Sequence, residues 1–252
     1  AKLENDSIDY HEDLDILTTS SNTAINSFAR FNATSAATAF ASNFLAKLRD
    51  VYPNAWPETL RALMIHSASW NSEMIKQFKI DLKKVGDKQK LLRIFGYGVP
   101  NLEKAIECKS NYLTFISEEV IQPYKLDGTI KTNEIHYYEF PWPSEILANL
   151  GSANVTLRIT LSYYIEPNPG DKGYSTKYSY QSCALKFLLI DPTEDFDNFK
   201  IRTNRINIEN LKDELGVDKL SDGDYDKKQE KRWFLGADTA FRGSIHSNFW
   251  KG

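Results

Sequence analysis

The chain has 252 residues, 41% hydrophobic, 13% aromatic and 26% charged, a composition that excludes a disordered or fibrous protein. Lys plus Arg number 31 against 34 for Asp plus Glu, a net charge of −3, so the basic excess of a general nucleic-acid binder is missing and no nucleic-acid partner is expected. No apolar run approaches the roughly 18 residues of a membrane span, so no membrane partner is expected either.

The first 30 residues open polar and acidic, through Glu4, Asp6, Asp9, Glu12, Asp13 and Asp15, then offer a short strand at Ile16–Thr19 and a turn at Ser20–Asn22. From Ala36 the apolar positions 36, 37, 40, 41, 44, 45 and 48 predict a helix buried along a wide stripe, and its small residues imply close packing. Pro57 suits the first position of a second helix over 57–69, carrying Leu60, Leu63 and Met64. Residues 71–92 are Lys-rich and amphipathic, Gly96-Tyr97-Gly98 breaks the chain, and a short helix follows from Asn101 to about Glu107.

The character changes after Cys108. Residues Val155 to Tyr163 alternate apolar and polar, the pattern of a strand with one buried face. Further strands are expected over Tyr112–Ile116, Ile135–Phe140 and Ala184–Ile190, with turns at Asp127-Gly128, 166–170 and 171–173, giving an antiparallel sheet or small sandwich. A helix is predicted over 194–209, carrying Phe196, Phe199, Ile206 and Ile208, and 212–232 reads as a solvated charged loop. Its Asp222-Gly223-Asp224-Tyr225-Asp226 has the acids of a calcium loop without the spacing or the distal Glu, so no metal is expected. Cys108 and Cys183, 75 positions apart, read as buried thiols of a reducing compartment, which points to the cytoplasm.

Chemistry concentrates in Phe31-Asn32-Ala33-Thr34-Ser35-Ala36-Ala37-Thr38-Ala39, a loop running into the small-residue helix. A serine in the first helical turn has an unpaired backbone N–H and sits at the positive end of the helix dipole, where an oxyanion or alkoxide is stabilised. Thr34 or Ser35 could equally be a plain N-cap. Of the four histidines, His11 lies in an acidic stretch, His66 near the end of the second helix is expected to be satisfied or exposed, and His136 and His246 read as strand or loop residues. The aromatics Tyr137, Tyr138, Trp142, Tyr163 and Tyr164 read as sheet packing, with a peptide or carbohydrate platform as the alternative. There is no phosphate-binding Gly loop and no zinc motif, so no cofactor is expected.

Thr34-Ser35-Ala36-Ala37 and the Ala-rich helix after it resemble the nucleophile segment of the subtilisin-like serine peptidases, the subtilases, whose pattern is Gly-Thr-Ser-x-Ala-x-Pro. Other segments agree in order. Leu17-Thr18-Thr19 resembles the strand before the nucleophile loop, Tyr52-Pro53-Asn54 with Pro57-Glu58-Thr59-Leu60-Arg61-Ala62-Leu63 the next helix, and Gly96-Tyr97-Gly98-Val99-Pro100-Asn101 through Ala105 the closing Gly-x-Gly segment and last helix. Farther on, His136 to Pro143, Leu161 to Gly170 and Arg242 to Ser247 resemble the β-rich extension of a bacterial subtilase subgroup.

The resemblance covers about residues 14 to 107 and implies an α/β fold: residues 1–107 as the C-terminal portion of a subtilisin-like peptidase domain, mainly helical here, and 108–252 as an antiparallel β-rich, sandwich-like accessory domain. It implies Ser35 as the nucleophile of a serine endopeptidase acting on a protein or peptide substrate. Ala33 replaces the family's Gly, and if that position takes a positive φ its Cβ would strain the loop by about 1 kcal/mol. Ala39 replaces the Pro, which a helix accepts. Only 34 residues precede Ser35, without Asp-x-Gly or His-Gly segments like the family's, and the first residue is Ala1. The sequence is therefore expected to begin inside a longer chain, with the acid, base and oxyanion Asn in an upstream half of the domain, its partner; alone it is expected to be inactive. The alternative is a non-catalytic interaction module derived from a subtilase, whose β-rich part binds a protein.

Overall fold

Ala36, Ala37, Ala39, Ala41 and Ala46 lose no side-chain entropy and favour a helix. In the computed structural model it runs as α1 (Thr34–Val51), 18 residues long. The structure describes residues 2–4, 7–9, 15–108, 113–140, 143–149, 151, 155–165, 185–190, 194–204, 233–235 and 243–251. The expected calcium-like segment and the charged run 212–232 lie outside them. The chain forms two compact units, Ala1–Ala55 and Trp56–Gly252.

In the first unit, β1 (Lys2–Glu4) pairs antiparallel with β2 (Ser7–Asp9), and β3 (Ile16–Thr19) with β4 (Phe28–Phe31), Ile16 opposite Phe31 and Thr19 opposite Phe28. The β3–β4 connection closes through Ser20 N–H donating to the Ser27 carbonyl at 3.1 Å. At the far end of α1, the Tyr52 amide donates to the Leu48 carbonyl, and Arg49 donates to the carbonyls of Pro53 and Ala55 at 3.1 and 2.7 Å. The first bond satisfies a carbonyl that the helix terminus leaves open, and the Arg49 bonds tie down the chain that leaves it.

The second unit begins with α2 (Pro57–Ser67), where Pro at N1 suits the helix start and Leu60, Leu63 and Ser67 form its buried face. Its N-cap, Trp56, lends no side-chain bond. Instead Glu118, far along the chain, accepts from the Trp56 amide at 2.8 Å and from the Thr59 hydroxyl. A carboxylate there complements both the orphan amide and the helix dipole. Glu118→Ala should therefore lower stability by about 1 kcal/mol, read as a shift of the urea midpoint, while Glu118→Gln keeps an acceptor and loses less.

The Lys-rich stretch forms two helices, α3 (Ser72–Gln77) and α4 (Val85–Phe95), and α5 (Leu102–Glu107) follows. The amide of Met74 is capped by Asn71 and that of Lys104 by Asn101, which explains where α3 and α5 start. A short hairpin, β5 (Tyr124–Asp127) and β6 (Thr129–Thr132), turns at Gly128 with φ +69°. Then come α6 (Ser144–Asn149), β7 (Thr156–Ser162), the helical residues 196–204 (α7), and β8 (Ile245–Lys251), which pairs antiparallel with β7 along its whole length.

The described strands thus make four two-stranded antiparallel sheets in an α/β chain, and no sandwich is formed among the described residues. Residues 113–116, 135–140 and 185–190, expected as strands, have no regular secondary structure. β-propensity describes a residue that fits a pleated surface; it does not supply the neighbouring strand whose N–H and C=O groups must pair. Residues 135–140 instead contribute side chains: the Tyr137 ring meets Phe196 and Phe199 of α7 edge-on at 5.5 and 6.0 Å, and its hydroxyl lies 2.9 Å from that of Thr203.

Candidate functional site

Ser35 is the second residue of α1 and is exposed to solvent. β4 delivers the chain to Asn32 and Ala33, and the helix starts at Thr34 with no side-chain cap. Neither Thr34 nor Ser35 therefore caps α1 as an N-cap residue would. Ala33 takes φ −161° and ψ 166°, extended backbone open to any residue, so the strain foreseen for an Ala at that position does not arise.

Around the serine, polar side chains are spent locally. The Thr38 hydroxyl donates to the Thr34 carbonyl at 3.0 Å and the Ser42 hydroxyl to the Thr38 carbonyl at 2.9 Å. No acid occupies the first turn of α1, so the positive end of the dipole is not neutralised from within the helix. In the first turn the Ala36 amide donates to the Ala33 carbonyl at 3.0 Å, and the Thr34 and Ser35 amides come before any intrahelical acceptor. An exposed hydroxyl beside such amides suits a reaction in which negative charge develops.

The histidines serve other ends. His11 lies outside the described residues. His136 stands 3.8 Å from Glu134 and 3.4 Å from the Tyr138 hydroxyl. His66, on α2, places Nδ1 2.9 Å from the Thr160 hydroxyl of β7, the satisfied histidine expected. Burial, with Arg158 and Lys104 adding to it, pushes its pKa down to about 4. His246, on β8, is buried and stacked on Phe187 with ring centroids 5.1 Å apart, and burial pushes it down to about 4 as well.

Sequence reasoning missed the polar seam that joins α2 to β7 and β8. The Thr160 and Ser247 hydroxyls lie 2.8 Å apart, and Arg158 donates from Nε to Ser247 Oγ at 2.9 Å. The same guanidinium donates to the carbonyls of Ala68 and Ile65 at 2.8 Å each, closing the C-terminal end of α2. Arg61 runs from α2 to the Ser162 hydroxyl at 2.9 Å and to the carbonyls of Tyr163 and Ser244 at 3.0 and 2.7 Å. The Tyr97 hydroxyl accepts from the Ser247 amide at 3.2 Å. Burial pushes the Tyr97 phenol and the Cys108 thiol up and brings Arg158 down to about 10. The alternation of residues 155–163 had marked Arg158, Thr160 and Ser162 as an open face; that face is covered by α2.

Residues 5–98 match the model of the subtilase family of peptidases, Peptidase_S8. That segment contains Ser35, the helices α1 to α4 and the Gly96-Tyr97-Gly98 turn, and overlaps most of the stretch whose motifs resemble the family. The match spans 94 of the 252 residues, and it is this first part of the chain that is similar to a subtilisin-like peptidase domain. No curated protein matches the chain, and no solved structure does.

Proposed function

We propose that the chain is part of a subtilisin-type serine endopeptidase in which Ser35 is the nucleophile and its amide helps hold the oxyanion. The observation that carries this reading is the position of Ser35: an exposed hydroxyl in the uncapped first turn of an 18-residue helix, inside the segment that matches the subtilase family. The Ser35 Oγ would attack the scissile carbonyl carbon, passing its proton to a histidine base. Collapse of the tetrahedral intermediate would expel the amine and leave an acyl-enzyme for water to hydrolyse.

The base, its orienting Asp and the oxyanion Asn are placed in an upstream half of the domain. The apolar surface of the first unit supports such a neighbour: Leu17 is 70% exposed and Phe28 61%, on one face of the β3–β4 hairpin, and Phe40 of α1 is 62% exposed. Residues 1–107 belong on this reading to the peptidase domain, and 108–252 form an accessory domain. The substrate is a protein or peptide, and the compartment the cytoplasm.

Labelling the longest natural form of the protein with a fluorophosphonate, then mapping the adduct by mass, tests the reading. Such probes react with an activated serine, so an adduct on Ser35 that disappears in Ser35→Ala is the expected result. A folded, full-length protein that takes no label would instead be a non-catalytic interaction module of subtilase descent.

A further inference from the structure

We infer that the turn between α3 and α4 is a docking surface for an acidic stretch of polypeptide, held by Lys79, Lys83 and Lys90. The inference is independent of any role for Ser35.

Residues 76–90 carry Lys76, Lys79, Lys83, Lys84, Lys88 and Lys90 against Asp81 and Asp87. Both acids bond the backbone of the turn itself. Asp87 Oδ2 accepts from the Asp81 amide and Asp81 Oδ1 from the Lys83 amide, each at 3.0 Å, while the Lys84 amide donates to the Asp81 carbonyl at 2.9 Å. These bonds fix one conformation of the turn before any partner arrives. Lys76 is paired with Glu73 at 3.1 Å, and Lys84 stands 4.0 Å from Asp81. Lys79, Lys83 and Lys90 are exposed, and among the described residues none of them has a carboxylate partner. Lys90 reaches back from α4, its Nζ 5.7 Å from the centre of the Phe78 ring, the residue before Lys79.

The lysines sit where they weaken the local structure. Among the described residues Lys79 is the only non-glycine with a positive φ, +49°. Its amide donates to the Lys76 carbonyl at 3.0 Å and the Ile80 amide to the Ile75 carbonyl at 2.9 Å, which closes α3 in the pattern that favours glycine at this position. Lys83 and Lys84 precede the first turn of α4, at the positive end of its dipole, where a cation is disfavoured, and Lys84 is an N-cap without a side-chain bond. Three departures from local stability in one turn, all of them lysines, point to a use outside the fold.

The surroundings favour a short acidic segment over other anions. Leu82 and Val85, 38% and 50% exposed, flank Lys83 and Lys84 and offer apolar contact beside the cations. The whole chain carries −3, which opposes a long polyanion or an anionic membrane. Charges at physiological salt act over about 8 Å, so a short segment senses chiefly the lysines it touches. An interfacial helix lays its apolar face into lipid, whereas α4 buries Leu91 and packs Phe95 on Phe78 at 5.3 Å.

Fluorescence anisotropy of a labelled decapeptide of alternating Asp and Glu, titrated with the whole protein, tests the surface. The peptide should bind at about 0.02 M salt and weaken about tenfold by 0.15 M. Lys79→Gly/Lys83→Gln/Lys90→Gln should weaken it about tenfold or more at low salt. Glycine at 79 removes the left-handed strain, so this variant should melt no lower than the native protein, and its loss of binding reports the surface and not the fold. No binding by the native protein at low salt, or equal binding by the variant, would overturn the inference. Tighter binding of a thymidine oligonucleotide, or of vesicles of phosphatidylserine and phosphatidylcholine in equal parts, would overturn it too, by assigning the turn to nucleic acid or to lipid.

Discussion

Arg158→Ala should destabilise the protein by about 3 kcal/mol, measured as a fall in urea midpoint at unchanged slope. The guanidinium donates to Ser247 Oγ on β8 and to the Ile65 and Ala68 carbonyls at the end of α2, and it lies 4.5 Å from the centre of the Phe249 ring. Truncation leaves the Ala68 carbonyl without its side-chain donor, weakens the Ile65 carbonyl and Ser247 Oγ, which keep the Ala68 amide and the Thr160 hydroxyl, and removes the stem that covers Phe249. Each buried acceptor left unsatisfied costs about 1–3 kcal/mol, and relief from burying the cation offsets part of the sum. Lysine is a point donor on a flexible stem and cannot span three acceptors at fixed angles, so Arg158→Lys should recover less than half of the loss. A cost below about 0.5 kcal/mol for the Ala variant would mean that water replaces the fork and the seam is held by apolar packing alone.

Gly98→Ala should be at least as damaging, at about 3 kcal/mol or more, and its neighbour supplies the control. Gly98 has φ +94°, and a Cβ built there falls on the backbone carbonyl of Ser69 and close to the Trp70 amide. That contact cannot relax cheaply, because Ser69 and Val99 exchange both backbone hydrogen bonds, at 3.1 and 2.9 Å. Gly96 also has a positive φ, +57°, but nothing lies within 4 Å of the Cβ it would gain. Its replacement by Ala should cost only the backbone conformation, whose φ +57° and ψ −136° fall in a region nearly reserved for glycine, about 1–3 kcal/mol. Thermal unfolding of the two variants separates strain from overlap: for a chain of this size the Gly98 variant should melt roughly 6–12 °C lower, the Gly96 variant a few degrees.

Helical period was enough to locate α1, α2 and α5 from residues alone, because each is a local pattern with its own start, Pro57 for α2 and Asn101 for α5. The family, too, was legible before any coordinates, since Thr34-Ser35-Ala36-Ala37 and the segments after it keep their order along the chain. Alternation located β7 but misjudged its polar side. A period of two shows that two faces differ and cannot show whether the polar one meets water or the backbone of a helix. The fragments around 135–140 and 185–190 have strand-like composition without a strand partner, and pairing is a relation between distant segments that no local window contains.

Ser35 as the candidate nucleophile came from the sequence, and the structure adds the backbone that carries it: an exposed first turn and an unstrained Ala33. The sequence by itself determined α1, α2 and α5, the strand at 156–162 and the resemblance of the first part to the subtilases, because each is written in neighbouring residues. Only the tertiary structure decided what Arg61, Arg158, His66 and His246 do. Their partners lie from 59 to 183 positions away along the chain, and a buried polar group finds its partner through packing, which spacing along the chain does not encode.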